Sequence, residues 1–279
     1  MKKPLVSIMI RTCQRPDVLK NALESIRNQT YENIQVIVVE DGVNRSEELL
    51  KNKFSDLNYV YMATSQKVGR SKTGNIALEL ADGEYLNFLD DDDILLPEHI
   101  KKLVETLIID KNMAAYSNAE EIQIDIISRT PYKYIIKRKL FRYRQPFNKL
   151  LLYTFNYIPI QSIMFHKELF EELGGFDDSL DALEDWDLWV RYSTKTDFTY
   201  VNENTSCYFT PYKRDEKKNR GNILNKYNEA VYAKFRNYSL NLNVGEINMD
   251  MKYIMEEYKQ KAYIRYLKII LRRVLWGER

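Results

Sequence analysis

The run Tyr85-Leu86-Asn87-Phe88-Leu89 passes directly into Asp90-Asp91-Asp92-Asp93. The apolar part reads as a buried strand, and four adjacent carboxylates at its end repel one another unless a cation sits among them. Hard oxygen ligands with no His or Cys beside them select Mg²⁺, Mn²⁺ or Ca²⁺ over zinc. In open α/β sheets ligands bind beyond the carboxyl ends of the strands, which is where this cluster falls. Asp clusters also cap helices and decorate loops, so on the cluster alone a metal site and a plain helix start stand level.

Upstream, the same grammar repeats. Leu5 to Ile10 is a continuous apolar strand, followed by the turn Arg15-Pro16-Asp17 and a helix with Val18, Leu19, Ala22, Leu23 and Ile26 on one face. A second apolar strand, Ile34 to Val39, ends in Glu40-Asp41-Gly42. A short helix at Glu47–Lys53, a strand at Tyr59–Met62, a loop from Gln66 to Gly74 and a helix from Asn75 to Ala81 complete the first third. Buried strands alternating with helices predict a doubly wound, mostly parallel sheet, with two acidic strand tips on one edge. Beyond the acids, Pro97 opens an amphipathic helix, Glu98 to Ile109.

The second half is less regular. Strands are expected at Ala114–Asn118, Glu120–Ile127, Ile158–Phe165 and Tyr200–Phe209, with a helix at Lys167–Leu173 leading to Gly174-Gly175. Leu183 to Arg191 begins a helix with Glu184 and Asp185 at its positive end and Asp187 and Arg191 spaced as an ion pair. From Arg129 to Lys149 the chain is basic and aromatic with no acid, which suits nucleic acid, phosphorylated or lipid-linked substrates and anionic membranes equally, or a solvated excursion. Pro211 to Gly221 reads as a polar mobile loop, followed by helices ending near Met251–Trp276, where Lys261, Arg265, Lys268 and Arg272 form a stripe suited to a membrane interface or to docking.

Composition narrows the class. With 279 residues and a net charge of +2, the chain gives no reason to expect nucleic acid. Cys13 and Cys207 are too few for a disulfide framework, so a reducing, cytoplasmic setting is expected. The first apolar run is interrupted by Arg11 and reads as a strand, and no run is long enough to span a bilayer.

Five pieces in order, Val6 to Thr12, Val38-Val39-Glu40-Asp41-Gly42, Asn75 ahead of Gly83 to Asp93, Gly174 to Asp177, and Glu184 to Trp189, resemble the inverting glycosyltransferases of family 2. The resemblance covers about residues 4 to 210. It implies a GT-A α/β fold with a C-terminal helical extension, divided into a nucleotide-sugar half (1–115), an acceptor half (116–221) and helices over 222–279. It also implies a nucleotide-sugar donor, UDP-linked in expectation, a Mn²⁺ or Mg²⁺ cofactor, and a glycan or lipid-diphosphate-linked acceptor in surface polysaccharide assembly, at the inner face of the plasma membrane. By position, Asp185 matches the catalytic base, and Asp92 with Asp90 the metal-ligating pair. Arg11, Thr12, Cys13, Asp41, Arg70, Asn75, Asp90 and Asp91 are expected around the donor. Gly175, Phe176, Asp177, Glu184 and Trp186 are expected on the acceptor side, and Lys213 and Arg214 (with Lys217) in a closing loop.

The departures are Glu40 where Asp is usual, Gly74 where Arg or Lys is common, and no late His to complete the metal shell; His99 and His166 lie elsewhere. A phosphate loop at Gly69–Thr73 lacks its earlier glycine, and no dinucleotide-binding glycine pattern follows the first strand. A nucleotidyltransferase, or a non-catalytic sugar-nucleotide binder on the same fold, are the alternatives.

Overall fold

The computed structural model describes residues 3–239 and 244–256. The first half is a set of βα units: β1 (Val6–Thr12), α1 (Pro16–Arg27), β2 (Ile34–Glu40), α2 (Glu47–Lys53), β3 (Tyr59–Ala63), α3 (Arg70–Glu79) and β4 (Tyr85–Asp90). Then follow the short β5 (Ile94–Leu95), α4 (His99–Ile109), β6 (Ala114–Arg129), β7 (Tyr132–Leu140), α5 (Lys149–Leu152), β8 (Ile163–His166), α6 (Lys167–Leu173), α7 (Glu184–Ser193), β9 (Phe198–Pro211) and α8 (Arg214–Phe235). A further helix occupies 244–256.

The strands form one nine-stranded sheet in the order β3-β2-β1-β4-β8-β6-β9-β5, with β7 on β6. β1 to β4 are mutually parallel, as expected for the nucleotide half, whereas β8 runs antiparallel to both β4 and β6. The sheet is therefore mixed. Period-two alternation sends side chains to two separate cores. Met9, Ile37, Val39 and Phe88 face the core that holds Trp186 and Trp189. Ile8, Ile10, Val36, Val38 and Leu89 face α1 and α4 on the other side.

Several expected boundaries shift. α3 starts at Arg70 rather than Asn75, because Gly69 adopts φ 94° and the Asp41 carboxylate accepts the Val68 and Gly69 amides (2.6 and 3.2 Å), turning the chain into the helix early. β6 is one 16-residue strand where two were expected. The basic stretch is no excursion: it supplies β7, an antiparallel partner of β6. The expected mobile loop at Pro211–Gly221 is instead the end of β9 and the start of α8, which runs unbroken across 221 and 222. Of the predicted terminal helix, the part beyond 256, with Lys261, Arg265, Lys268, Arg272 and Trp276, lies outside the described residues.

α8 docks on α7. Val231 is fully buried, and the rings of Tyr232 and Phe235 each meet Trp186 edge-on at 5.2 Å. Lys234 ties the helix down by pairing with Asp177 (2.6 Å) and with the fully buried Asp187 (2.9 Å). Lys234→Met is expected to lower unfolding free energy by about 1–3 kcal/mol in urea titration, since Asp187 keeps Arg191 and Tyr238 but loses one charge partner.

Candidate active site

The site is assembled around Arg11, the penultimate residue of β1. Its Nη2 donates to Asp90 Oδ1 at 2.7 Å and its Nη1 to Glu184 Oε1 at 2.8 Å, while its guanidinium lies over the rings of Phe88 and Phe176 at 5.7 and 5.3 Å. Burial works against its charge, but the two carboxylates outweigh it and push the Arg11 pKa up. Burial likewise opposes ionisation of Asp90, yet Arg11, helped by Arg70 and Arg15, holds Asp90 below the usual carboxylate range. β1, β4, α7 and the Phe176 loop thus converge on one cation.

The other three aspartates differ sharply. Asp91 is fully buried and accepts Thr12 Oγ1 (2.7 Å) and Arg15 Nε (3.1 Å). Burial, reinforced by Asp92 and Asp90, still pushes it up to about 7. Asp93 accepts the Phe209 amide at 3.0 Å, and burial beside Asp92 and Asp90 raises it well above the usual range. Asp92 is the most exposed of the four, its side chain 38% exposed against 22% for Asp90, with Arg15 at 3.6 Å, and partial burial and the Asp90 charge raise its pKa. The cluster therefore holds more negative charge than its two arginines neutralise.

A divalent cation fits this shortfall at Asp92. Among the described residues no group of three or more acids, histidines or cysteines could hold a metal by itself. One accessible carboxylate completed by substrate phosphates and water is the coordination Mg²⁺ commonly accepts. Asp90, expected as a second ligand, is committed to Arg11.

Across from the cluster, α7 starts at Leu183, whose left-handed φ of 62° aims the first turn. Glu184 faces Arg11, with Arg70 at 3.6 Å. Asp185, half-buried, accepts Asn156 Nδ2 at 2.8 Å; burial and the neighbouring Glu184 push it up to about 7. A carboxyl poised near neutrality can take a proton as readily as hold one.

Other expected residues turn out to support the site. Asn75 spends its amide on the backbone of Phe176 (2.9 and 2.7 Å) and on Asp178, so it holds the Gly174–Asp177 loop rather than facing a donor. Phe176 is buried against Phe88, filling space that only Gly74 leaves: a Cβ there would sit 2.6 Å from its ring. Gly175 backs onto Asn75, where a Cβ would come within 2.2 Å of Oδ1. Asp177 pairs with Lys234, and Trp186 donates to Leu152 O from the core. Glu184, expected at the acceptor, is buried on Arg11. The Asp41 carboxylate holds the loop before α3, and Cys13 sits half-buried at the β1 exit. Lys213, in the short bend before α8, pairs with Asp125 at 2.9 Å and Arg214 opens the helix; neither lines the cleft beside Asp92.

That cleft, of about 770 Å³, runs from Gln14 and Arg15 past Asp92 to Tyr132 and Phe209, and carries Arg45, Arg129 and Arg220. These four arginines come from four separate segments and form no local motif; only the fold gathers them. Arg15 was legible merely as part of a turn.

A parallel first half joined to a mixed second half, with acidic strand tips facing an acid-led helix, defines the GT-A class of glycosyltransferase. The chain belongs to glycosyl transferase family 2, whose profile matches residues 7–174. It is 29% identical over 186 residues to the uncharacterized glycosyltransferase YwdF of Bacillus subtilis, covering 67% of each chain. It is 27% identical over 200 residues to the uncharacterized glycosyltransferase MJ1057 of Methanocaldococcus jannaschii, covering 68% of this chain and 65% of that one. The chain thus spans about two thirds of the length of these relatives. Its fold is shared with S. aureus TarS 1–349 in complex with UDP-GlcNAc (TM-score 0.62, 15% identity, 76% of this chain and 60% of that one). The mannosyltransferase PcManGT from Pyrobaculum calidifontis, in complex with GDP-Man and Mn²⁺, shares it too (TM-score 0.62, 16% identity, 87% and 67%).

Removing the central cation strands two enclosed acids. Arg11→Met is expected to cost about 3–5 kcal/mol in urea unfolding. Adding Glu184→Gln should recover part of that loss by removing one stranded charge.

Proposed function

We propose that this chain transfers a single sugar, with inversion, from a nucleotide-sugar donor to a glycan or lipid-diphosphate-linked acceptor of surface polysaccharide assembly. The observation that carries this reading is Asp185: a half-buried carboxyl, raised to about 7, on the helix whose neighbouring Glu184 shares Arg11 with the acid cluster. A donor diphosphate laid along the arginine-lined cleft would meet Arg15 and Asp92. That TarS binds UDP-GlcNAc and PcManGT binds GDP-Man supports a nucleotide-sugar donor, with UDP our choice of base.

In the reaction, the acceptor hydroxyl oxygen bonds to the anomeric carbon while the bond from that carbon to the nucleoside diphosphate breaks. Asp185 takes the hydroxyl proton as the new bond forms, and Asn156 orients the carboxylate. Arg15 and the cleft arginines balance the charge growing on the leaving diphosphate. A Mg²⁺ or Mn²⁺ ion held by Asp92 would supply Lewis-acid neutralisation of that same diphosphate.

Asp185→Asn should lower kcat by roughly 10²–10⁴-fold with donor affinity unchanged. Donor binding without turnover in the wild type, assayed with Mn²⁺ across acceptors, would instead indicate a binding protein. The wild-type rate should fall as pH drops through about 7, where Asp185 protonates. Stability should move the other way. A carboxyl whose folded pKa is raised destabilises the fold once ionised, so Asp185→Asn should melt higher than wild type above about pH 7. Near pH 5, where the folded wild type already carries the proton, most of that difference should be gone.

Because Asp92 is the most exposed carboxylate of the cluster and Asp90 is engaged by Arg11, metal and donor should bind cooperatively. Calorimetry is expected to show weak Mn²⁺ binding alone, tightened roughly tenfold or more by UDP and lost in Asp92→Asn. Tight Mn²⁺ binding without nucleotide would contradict this.

A further inference from the structure

The β6–β7 hairpin carries a surface that the transfer reaction does not use. β7 pairs only with β6, so its outer edge is open in the described sheet. Lys133, Lys137 and Arg138 project from it exposed, and among the described residues none has an ion-pair partner; Lys139 and Arg142 reach back to Glu120 and Glu121. Beside these cations lie exposed aliphatic side chains: Ile127 (60%), Ile135 (49%) and Ile136 (47%), with Phe141 (42%) under the Arg144 guanidinium at 3.9 Å. A β-bulge at Gln123/Ile124 leaves Lys137 without a partner on β6, and Ile135 and Ile136 beside it are both about half exposed. No acid occurs between Asp125 and Glu168.

We infer that the outer face of this hairpin is a docking surface for an anionic lipid bilayer. Edge-strand lysines also discourage self-pairing, but that role does not explain the exposed isoleucines beside them. A second copy of the chain is disfavoured for the same reason, since it would set cations against cations. Nucleic acid would ask for free ring faces to stack on, whereas Tyr132 and Tyr134 turn inward, Tyr134 packing on Phe209 at 5.5 Å, and the exposed Phe141 has one face covered by Arg144. Cations to reach headgroups and short aliphatics to enter the interface are the pairing an anionic membrane selects. The inner face of the same hairpin, through Ile124, Ile126, Arg129 and Tyr132, walls the cleft, so docking would hold the cleft mouth near the lipid.

The test is sedimentation of the full chain with vesicles of phosphatidylcholine alone or with about one third phosphatidylglycerol. Wild type should bind only the anionic vesicles. Lys133→Gln/Lys137→Gln/Arg138→Gln should weaken that binding roughly 100-fold, at about fivefold per cation. Ile135→Ser/Ile136→Ser should weaken it at unchanged charge. Both variants should keep wild-type circular dichroism and donor hydrolysis, which separates this inference from the transferase reading. Lys261→Gln/Arg265→Gln/Lys268→Gln controls for the C-terminal stripe and should bind as wild type. The inference is overturned if no anionic-vesicle binding occurs, if the hairpin variants bind like wild type, if only the C-terminal variant loses binding, or if the hairpin cations instead prove necessary for binding single-stranded RNA while vesicle binding is unaffected.

Discussion

One buried cation organises this molecule. Arg11 stands at the end of the central strand and is reached by acids 79 and 173 residues further along the chain. A guanidinium can satisfy two carboxylates in different directions and stack its flat faces on rings, which a lysine ammonium could not do at this spot. With Phe88 and Phe176 enclosing it, the charge must be matched or the fold loses several kcal/mol. Matching it draws the head of α7, and with it Asp185, toward the acidic strand tip. The placing of Asp185 is thus a by-product of solving a desolvation problem.

The acid cluster leaves a second problem unsolved. Arg11 settles Asp90, but burial and mutual repulsion raise Asp91, Asp92 and Asp93 against what Arg15 and Thr12 offer. A sequence selected only for stability would not retain such a surplus; one selected to bind a cation together with a polyphosphate has reason to. Asp185 carries the same signature, a carboxyl that the folded state would rather keep neutral. Excess charge on one wall and a reluctant acid on the other are stability given up where chemistry needs it.

The architecture was largely readable. Continuous apolar runs marked β1, β2 and β4, and 3.6-residue periodicity marked α1 and α4, because burial on both faces or on one leaves those patterns in any window. What could not be read was direction. Asn75, Phe176 and Trp186 stand at positions that suggest ligand contact, but whether a side chain points into the cleft or into the layer beneath depends on residues a hundred positions away. The basic stretch and the polar segment at Pro211–Gly221 misled for a related reason. Local composition there is that of a solvated loop, and it is tertiary contact with β6 that orders both, through the β6–β7 ladder for one and through Lys213 on Asp125 and Lys217 on Gln123 for the other.

The glycine at position 74 ties these points together. The family resemblance leads one to expect a cation there, and its absence looks at first like a missing phosphate contact. The structure gives the reason: the Phe176 ring occupies the volume any side chain at 74 would need, and that ring is part of the enclosure around Arg11. Keeping the enclosure and keeping a local cation are mutually exclusive. The donor diphosphate of the proposed reaction would then draw its positive charge from elsewhere, and Arg15, Arg45, Arg129 and Arg220 line the cleft from four directions. In the proposed reaction the missing histidine follows the same line, since a metal shell completed by phosphate oxygens between arginines would have less need of a further protein ligand.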